Sequence, residues 1–379
     1  MPALRILHVV TLVSPDGAYG GPVRVATLQC EALRRRGHTV HITAAATGFA
    51  ELPTAVGTID AHLFAGHMVV PGVGFAGLCA PGMLPWLRRN RDAFDVAHVH
   101  LARDLVSLPA ARMWAAWHLP LVVQTHGMID ASSRLLAGPV DALLTRPVLR
   151  AAGRTLYLTE GERSDLSTAA GGRARLDPLP NGVPTPDDSA DSDEPVGVPE
   201  VLFLARLHPR KRAPLFVEMA ARLIDRGVTA RFTLVGPDEG DGPRVQQLIE
   251  DSGHADRIGW MGALGPDETL ERMRRAAVYV LPAVGEPFPM TVLEAMSIGR
   301  PVVVTDDCGL APLVASSSSG ISVCPDDLTG LADAVTRLLQ DPVARHRMAR
   351  NARNTARTEL SIDPVIARLE TMYQEVAAT

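Results

Sequence analysis

Short apolar runs alternate with segments whose apolar residues recur three and four apart, from one end of the chain to the other. The first run, Ile6–Val13, predicts a strand. Pro22–Arg36 predicts a helix, because Val25, Leu28 and Ala32 share a face, Pro22 sits in a first turn that tolerates it, and Gly37 follows as a stop. Further strands are predicted at Thr39–Ala44, Val96–His100, Leu121–Thr125 and Thr155–Leu158. Thr159 and Glu162 stand at capping-box spacing, so a helix is expected to start there.

Between Val183 and Pro199 the chain turns to prolines and acids with almost nothing to bury, which reads as a solvated linker. The alternation then resumes. Strands are predicted at Val201–Ala205, Arg231–Val235, Val278–Leu281 and Pro301–Thr305. Helices are predicted at Pro214–Arg226, Met290–Ile298, Leu328–Leu339, Val343–Thr358 and Pro364–Val376. Strand–helix alternation of this kind gives parallel sheets covered on both faces. The expectation is an α/β chain of two similar domains with a cleft between them, lined from the carboxyl ends of the strands.

Composition narrows the function. The 379 residues carry 37 Lys+Arg against 42 Asp+Glu, a net charge of −5, which lacks the basic field a general nucleic-acid binder needs. Four cysteines without a CxxC pair give neither a disulfide scaffold nor a zinc site and fit a reducing compartment. No apolar stretch reaches the ~20 residues of a membrane span. Leu4–Val13 is short, carries Arg5 and His8, and reads as a buried strand rather than a signal peptide. The expected location is the cytoplasm, or the periphery of the inner membrane face.

Three constellations carry chemistry. Tyr19-Gly20-Gly21-Pro22 follows the first strand and opens a helix, where adjacent glycines and free amides can meet a phosphate. A tight strand–helix turn would need glycine in any case, and the spacing is not that of a dinucleotide fingerprint. Arg206 stands at the end of the first strand of the second half, and Lys211 five residues on, in a basic loop suited to a diphosphate. Glu286 and Glu294 stand eight positions apart, the first in a loop after a strand and the second in the following helix. Paired carboxylates accept hydrogen bonds from the vicinal hydroxyls of a ribose or hexose.

The run Gly285–Val304 (GEPFPMTVLEAMSIGRPVVV) resembles the signature of the retaining family 4 glycosyltransferases, an E-x7-E motif with a downstream G-x-P-V-V. Gly20-Gly21, His126-Gly127, Pro180-Asn181-Gly182-Val183, Ala205-Arg206 through Lys211, and Leu234-Val235-Gly236 sit in the same order as in that family. The resemblance implies a GT-B fold: two Rossmann-like domains facing across a cleft, with a last helix crossing back to the first. It implies an acceptor-side domain at 1–185 joined by 362–379, a linker at 186–199 and a nucleotide-sugar domain at 200–361. It further implies that Arg206 and Lys211 hold the donor diphosphate, Glu294 the ribose and Glu286 the transferred sugar. Phe288, Met290 and Thr291 would complete the donor site, Gly20 and Gly21 would close over the phosphates, and His126 would lie beside the donor sugar. His98 is expected in the core and His100 next to the cleft.

The family usually has glycine where this chain has Pro289, so one backbone donor is lost or moved to Met290 or Thr291. No DxD motif offers a metal site, and Asp306-Asp307 reads as a turn, so side-chain cations are expected in place of a divalent metal, with no other cofactor. The expected reaction is retaining transfer of a sugar from a nucleotide-diphosphate sugar to a glycan, lipid-linked or small-molecule acceptor. A nucleotide-sugar epimerase on the same scaffold and a non-catalytic two-lobed sugar-binding protein are the alternatives. The apolar, Arg-bearing stretch Ala65–Arg91, with Trp86, is expected either to touch anionic lipid weakly or to pack on its own domain.

Overall fold

A computed structural model describes residues 2–15, 20–130, 137–184 and 197–378. The chain divides into two compact units: unit 1 is Met1–Gly182 together with Ile362–Thr379, and unit 2 is Val183–Ser361. Tyr19, the Asp16-Gly17 turn and residues 186–196 of the acidic stretch lie outside the described residues.

Unit 1 is built on a sheet of β1 (Arg5–Val13), β2 (Thr39–Ala46), β3 (Ala55–Val56), β4 (Ile59–Ala65), β7 (Val96–His100), β8 (Leu121–Gln124), β9 (Arg154–Tyr157) and β10 (Leu176–Pro178). A small antiparallel hairpin, β5 (His67–Met68) with β6 (Leu78–Cys79), stands apart. The sheet order is β10-β9-β8-β7-β1-β2-β4-β3, and every pairing but β3–β4 is parallel. Strands buried on both faces explain the near-continuous apolar runs, and all of β7 and β8 is buried.

The helix Ile362–Ala377 belongs to unit 1 and buries Ile366, Leu369 and Tyr373 completely. Its Glu370 accepts from His38 Nε2 at 2.9 Å and pairs with Arg36 at 2.7 Å. Gly182 permits the chain to pass Ile362, since a Cβ there would lie 2.6 Å from the Ile362 Cα. Asn181, buried beside it, accepts from Gln124 Nε2 at 3.2 Å.

Unit 2 holds β11 (Glu200–Leu204), β12 (Arg231–Val235), β13 (Ile258–Trp260), β14 (Val278–Leu281), β15 (Val302–Thr305) and β16 (Gly320–Val323), all parallel, in the order β13-β12-β11-β14-β15-β16. Phe203, Phe216 and Phe232 pack in its core at tilted and edge-on angles, with ring centroids 5.6 and 6.3 Å apart. Both units are therefore doubly wound Rossmann-like α/β sheets. Strand order reverses between β1 and β7 in unit 1, and between β11 and β14 in unit 2. Ligands in such sheets bind outside the carboxyl ends of the strands at this reversal.

Trp86 settles into its own unit. Its ring stacks on His62 at 4.9 Å and on His41 at 5.8 Å, with Phe94 at 6.2 Å. Arg88, Arg89 and Arg91 stay exposed, as do Met68, Val69, Val70 and Val73 around the small hairpin. No helix among the described residues is long and apolar enough to cross a membrane.

Candidate active site

In unit 2 the strand reversal gathers Arg206, Lys211 and Glu286. Arg206 follows β11, and its path is set by Gly236 at the end of neighbouring β12. That glycine has φ +145°, and a Cβ would lie 2.0 Å from the Ala205 carbonyl oxygen. Only a residue without a side chain lets the two segments touch. The loop after Gly236 then carries Glu239 to Arg206, whose Nη1 lies 2.5 Å from Glu239 Oε2. Glu239 was not singled out from sequence, because it sits 33 residues from its partner in an irregular loop.

Lys211 ends the turn Pro209–Lys211, which is held by the Arg210 amide donating to His208 Nδ1 at 3.2 Å. Its Nζ lies 2.6 Å from Glu286 Oε2, with both side chains largely buried. The backbone adds two ties between these segments: the Val284 amide donates to the Arg210 carbonyl at 2.8 Å, and the Arg210 guanidinium donates to the Gly285 carbonyl. Gly285 has φ +56°, and its amide donates to Asp307 Oδ2 at 2.9 Å. Asp307 thus serves as a loop brace, and the Glu286 carbonyl accepts the Gly309 amide at 2.9 Å. Burial pushes the nearby Cys308 thiol up to about 11, which leaves it protonated and unsuited to act as a nucleophile.

The helix Met290–Ser297 starts directly after Pro289, its N-cap. The Pro289 carbonyl accepts Val292 at 3.1 Å, whereas the amides of Met290 and Thr291 fall in the first turn, which has no intrahelical acceptor. Tyr279, buried in β14, donates to Leu204 O at 3.0 Å and lies 2.7 Å from Thr291 Oγ1, fixing that hydroxyl. Glu294 lies one turn further on the same helix, half-buried, and Phe288 packs against the core.

In unit 1, helix Gly20–Arg35 begins at the glycine pair itself, and a Cβ on Gly21 would meet nothing within 4 Å. His126 follows β8 in a left-handed turn, with φ +52° at His126 and +73° at Gly127. Glu162 holds this turn. Its Oε1 accepts the Thr125 hydroxyl at 2.5 Å and the Gly127 amide at 2.6 Å, while Oε2 accepts the Leu158 amide at 2.6 Å. The expected capping box is therefore only half formed: the Glu162 amide donates to Thr159 Oγ1 at 3.2 Å, but the carboxylate is spent on the His126 turn.

His98 is buried, as its place in the core required. His100 is also fully buried, one hydrogen bond behind His126, with His8 on its other nitrogen. His8, His98 and His100 bring ring nitrogens within 4.8 Å of one another. The His98 and His100 rings are stacked at 15°, so their in-plane lone pairs do not converge as ligands to one ion would. Burial lowers His8 and His126 to about 3 and His98 and His100 well below the ordinary imidazole value, leaving all four neutral.

A family described as Glycosyltransferase Family 4 matches residues 19–187, and one described as Glycosyl transferases group 1 matches residues 185–355. The chain is 30% identical over 331 residues to the alpha-D-kanosaminyltransferase of Streptomyces kanamyceticus, covering 80% of this chain and 84% of that one. It is 31% identical over 289 residues to the D-inositol 3-phosphate glycosyltransferase of Acidothermus cellulolyticus, covering 70% of this chain and 63% of that one. Among solved structures, Anabaena HepE in complex with UDP and glucose superposes with a TM-score of 0.75 at 18% identity, covering 98% of this chain and 99% of that one.

Proposed function

The chain belongs to the GT-B glycosyltransferases of the family 4 and group 1 type, and within that family we propose that it is a retaining enzyme using a nucleotide-diphosphate sugar without a divalent metal. The observation that carries this reading is the partly buried Lys211–Glu286 pair, with Arg206 following β11, at the strand reversal of unit 2. Without donor, the two charges neutralise each other at 2.6 Å. With donor, Lys211 and Arg206 turn to the diphosphate and Glu286 accepts from the sugar hydroxyls, so each partly buried charge exchanges one partner for another. Glu294 holds the ribose, Phe288 lies beside it, and the Met290 and Thr291 amides replace the donor that Pro289 lacks. Within unit 1, the family resemblance assigns Gly20 and Gly21 to phosphate and His126 to the transferred sugar.

In the reaction the bond from the anomeric carbon to the diphosphate oxygen breaks as the acceptor oxygen forms its own bond on the same face. The acceptor proton passes to the departing phosphate. Negative charge builds on the diphosphate, where Arg206 and Lys211 stabilise it as preorganised donors. The relative named as a D-inositol 3-phosphate glycosyltransferase supports a small-molecule acceptor over a glycan or lipid-linked one. Weak contact with anionic lipid belongs to the exposed Met68–Val73 edge and Arg88, Arg89 and Arg91 rather than to Trp86. Flotation that fails to bring the chain up with anionic liposomes removes that part.

The experiment is a panel of nucleotide sugars with D-inositol 3-phosphate and simple monosaccharide acceptors, the product anomer read by NMR. An acceptor-dependent product keeping the donor's anomeric configuration supports the reading. Sugar isomerisation without acceptor favours an epimerase, and an inverted product overturns the retaining mechanism.

A further inference from the structure

Five side chains of unit 1 form one hydrogen-bonded file ending at His126. His8 comes from β1, His98 and His100 from β7, His126 from the turn after β8, and Tyr373 from the last helix. His98 Nδ1 lies 2.6 Å from the Tyr373 hydroxyl, which lies 3.4 Å from His8 Nε2. His8 Nδ1 lies 3.1 Å from His100 Nε2, and His100 Nδ1 lies 2.7 Å from His126 Nε2. All but His126 are fully buried.

We propose that this file is ordered in one direction, from His98 through Tyr373, His8 and His100, so that His126 is locked as its Nδ1–H tautomer and offers substrate a hydrogen-bond donor there. A neutral imidazole and a phenol each carry one proton to donate. Unless the phenol oxygen accepts from both neighbours and leaves its own buried O–H orphaned, such a file has two orders, every proton pointing one way or every proton pointing the other. The far end decides between them, because His98 Nε2 is buried without a partner among the described residues. One order puts a proton on that nitrogen, an orphaned buried N–H. The other leaves a bare lone pair, which folded proteins tolerate better. The second order makes His98 Nδ1–H donate to Tyr373, Tyr373 to His8 Nε2, His8 Nδ1–H to His100 Nε2, and His100 Nδ1–H to His126 Nε2.

Burial keeps all four imidazoles neutral, which excludes a doubly protonated ring that would break the file into two directions. The His126 ring lies parallel to His100 at 5°, and Glu162 fixes its backbone. The ring therefore keeps its Nε2 on the file. As a donor at Nδ1, His126 pairs with a lone pair on a substrate oxygen and cannot take a proton there. Tyr373, His8 and His100 are positioning residues that set its tautomer.

The consequence for substrate rests on His126 serving the transferred sugar; the order of the file does not. A long-range 1H–15N correlation spectrum of the whole, ligand-free protein labelled with 15N-histidine reads the tautomer directly, with His126 assigned by its loss in His126→Gln. A pyrrole-type shift at Nδ1 and a pyridine-type shift at Nε2 are expected at neutral pH. The reverse pattern, or two averaged shifts, overturns the proposal whether or not the chain transfers sugar. Tyr373→Phe cuts the file between His98 and His8. It leaves His8 Nε2 as the new buried end of the file, which by the same rule stays a bare lone pair, so the His126 shifts are expected to keep the wild-type pattern. If that variant folds and its His126 shifts reverse or average, the directional file is wrong. If it does not fold, the wild-type spectrum decides alone.

Discussion

Glu162 Oε1 accepts the Gly127 amide at 2.6 Å, so a buried carboxylate 35 residues along the chain holds the turn that presents His126. His126 sits at φ +52°, a left-handed backbone that costs a non-glycine residue about 1–2 kcal/mol. The three hydrogen bonds that Glu162 accepts offset that strain.

Glu162→Gln keeps the size of the side chain but aims an amide N–H2 at a backbone donor that now meets a carboxylate oxygen. The expected result is a loss of about 1–3 kcal/mol of stability, the cost of an unpaired buried donor. Turnover should fall about tenfold or more as His126 loses its setting. Thermal unfolding and steady-state kinetics on the same preparation check both; unchanged kcat removes Glu162 from the site.

Gly236→Ala tests how unit 2 places Arg206. The added Cβ would meet the Ala205 carbonyl oxygen at 2.0 Å and sit at φ +145°. The segment carrying Arg206 must shift or the variant must unfold, and a loss of about 2 kcal/mol or more is expected. Circular dichroism melts measure it. Gly21→Ala is the contrast, since a Cβ there meets nothing within 4 Å, and its Tm should stay near wild type.

The four neutral histidines set an acid limit for unit 1. Each is lowered by burial, His8 and His126 to about 3, so below the ordinary value of about 6.5 the unfolded chain binds protons that the folded chain refuses. Stability rises with pH across that window: it is full above about pH 6.5 and is lost as pH falls towards 3. At Glu370 burial acts to raise the carboxyl, but the bonds from His38 and Arg36 override it and hold it below its usual value. Its contribution is present above the unfolded carboxyl value and fades as pH falls through the lowered one. Melts from pH 8 to 4 should show a decline that begins near pH 6.5. A profile flat down to pH 4 contradicts neutral burial of these rings.

Much of the fold was legible because parallel strands buried on both faces leave continuous apolar runs. Val96–His100, Arg231–Val235 and Val278–Leu281 are strands with the bounds their pattern predicts. β13 and β16 were not read: the first has three residues, and the second is an edge strand whose four residues are all half-buried. The helix Ser107–Ala116 was missed too, because it is apolar on most sides and shows little periodicity. Lys211 and Glu286 could be singled out from motif and position, but their contact spans 75 residues and depends on how β11 and β14 neighbour each other. Glu162 looked like a local cap, and local spacing could not reveal that its carboxylate is used elsewhere. His98 was expected in the core and His100 next to the cleft, and both are fully buried; the partner of His98, Tyr373 of the last helix, lies 275 residues away along the chain.

The grip of Arg206 and Lys211 on a diphosphate is tested most directly by titrating UDP, GDP, ADP and TDP into the wild type, Lys211→Ala and Arg206→Ala, with binding heat and Tm as readouts. At least one nucleotide should bind the wild type and raise its Tm, by about 2.7 kcal/mol of stabilisation at a hundredfold excess over Kd. Both variants should fold and bind that nucleotide at least about tenfold more weakly, the loss of a charge-assisted bond. Equal affinity in folded wild type and both variants would contradict the assignment of the diphosphate to these two cations.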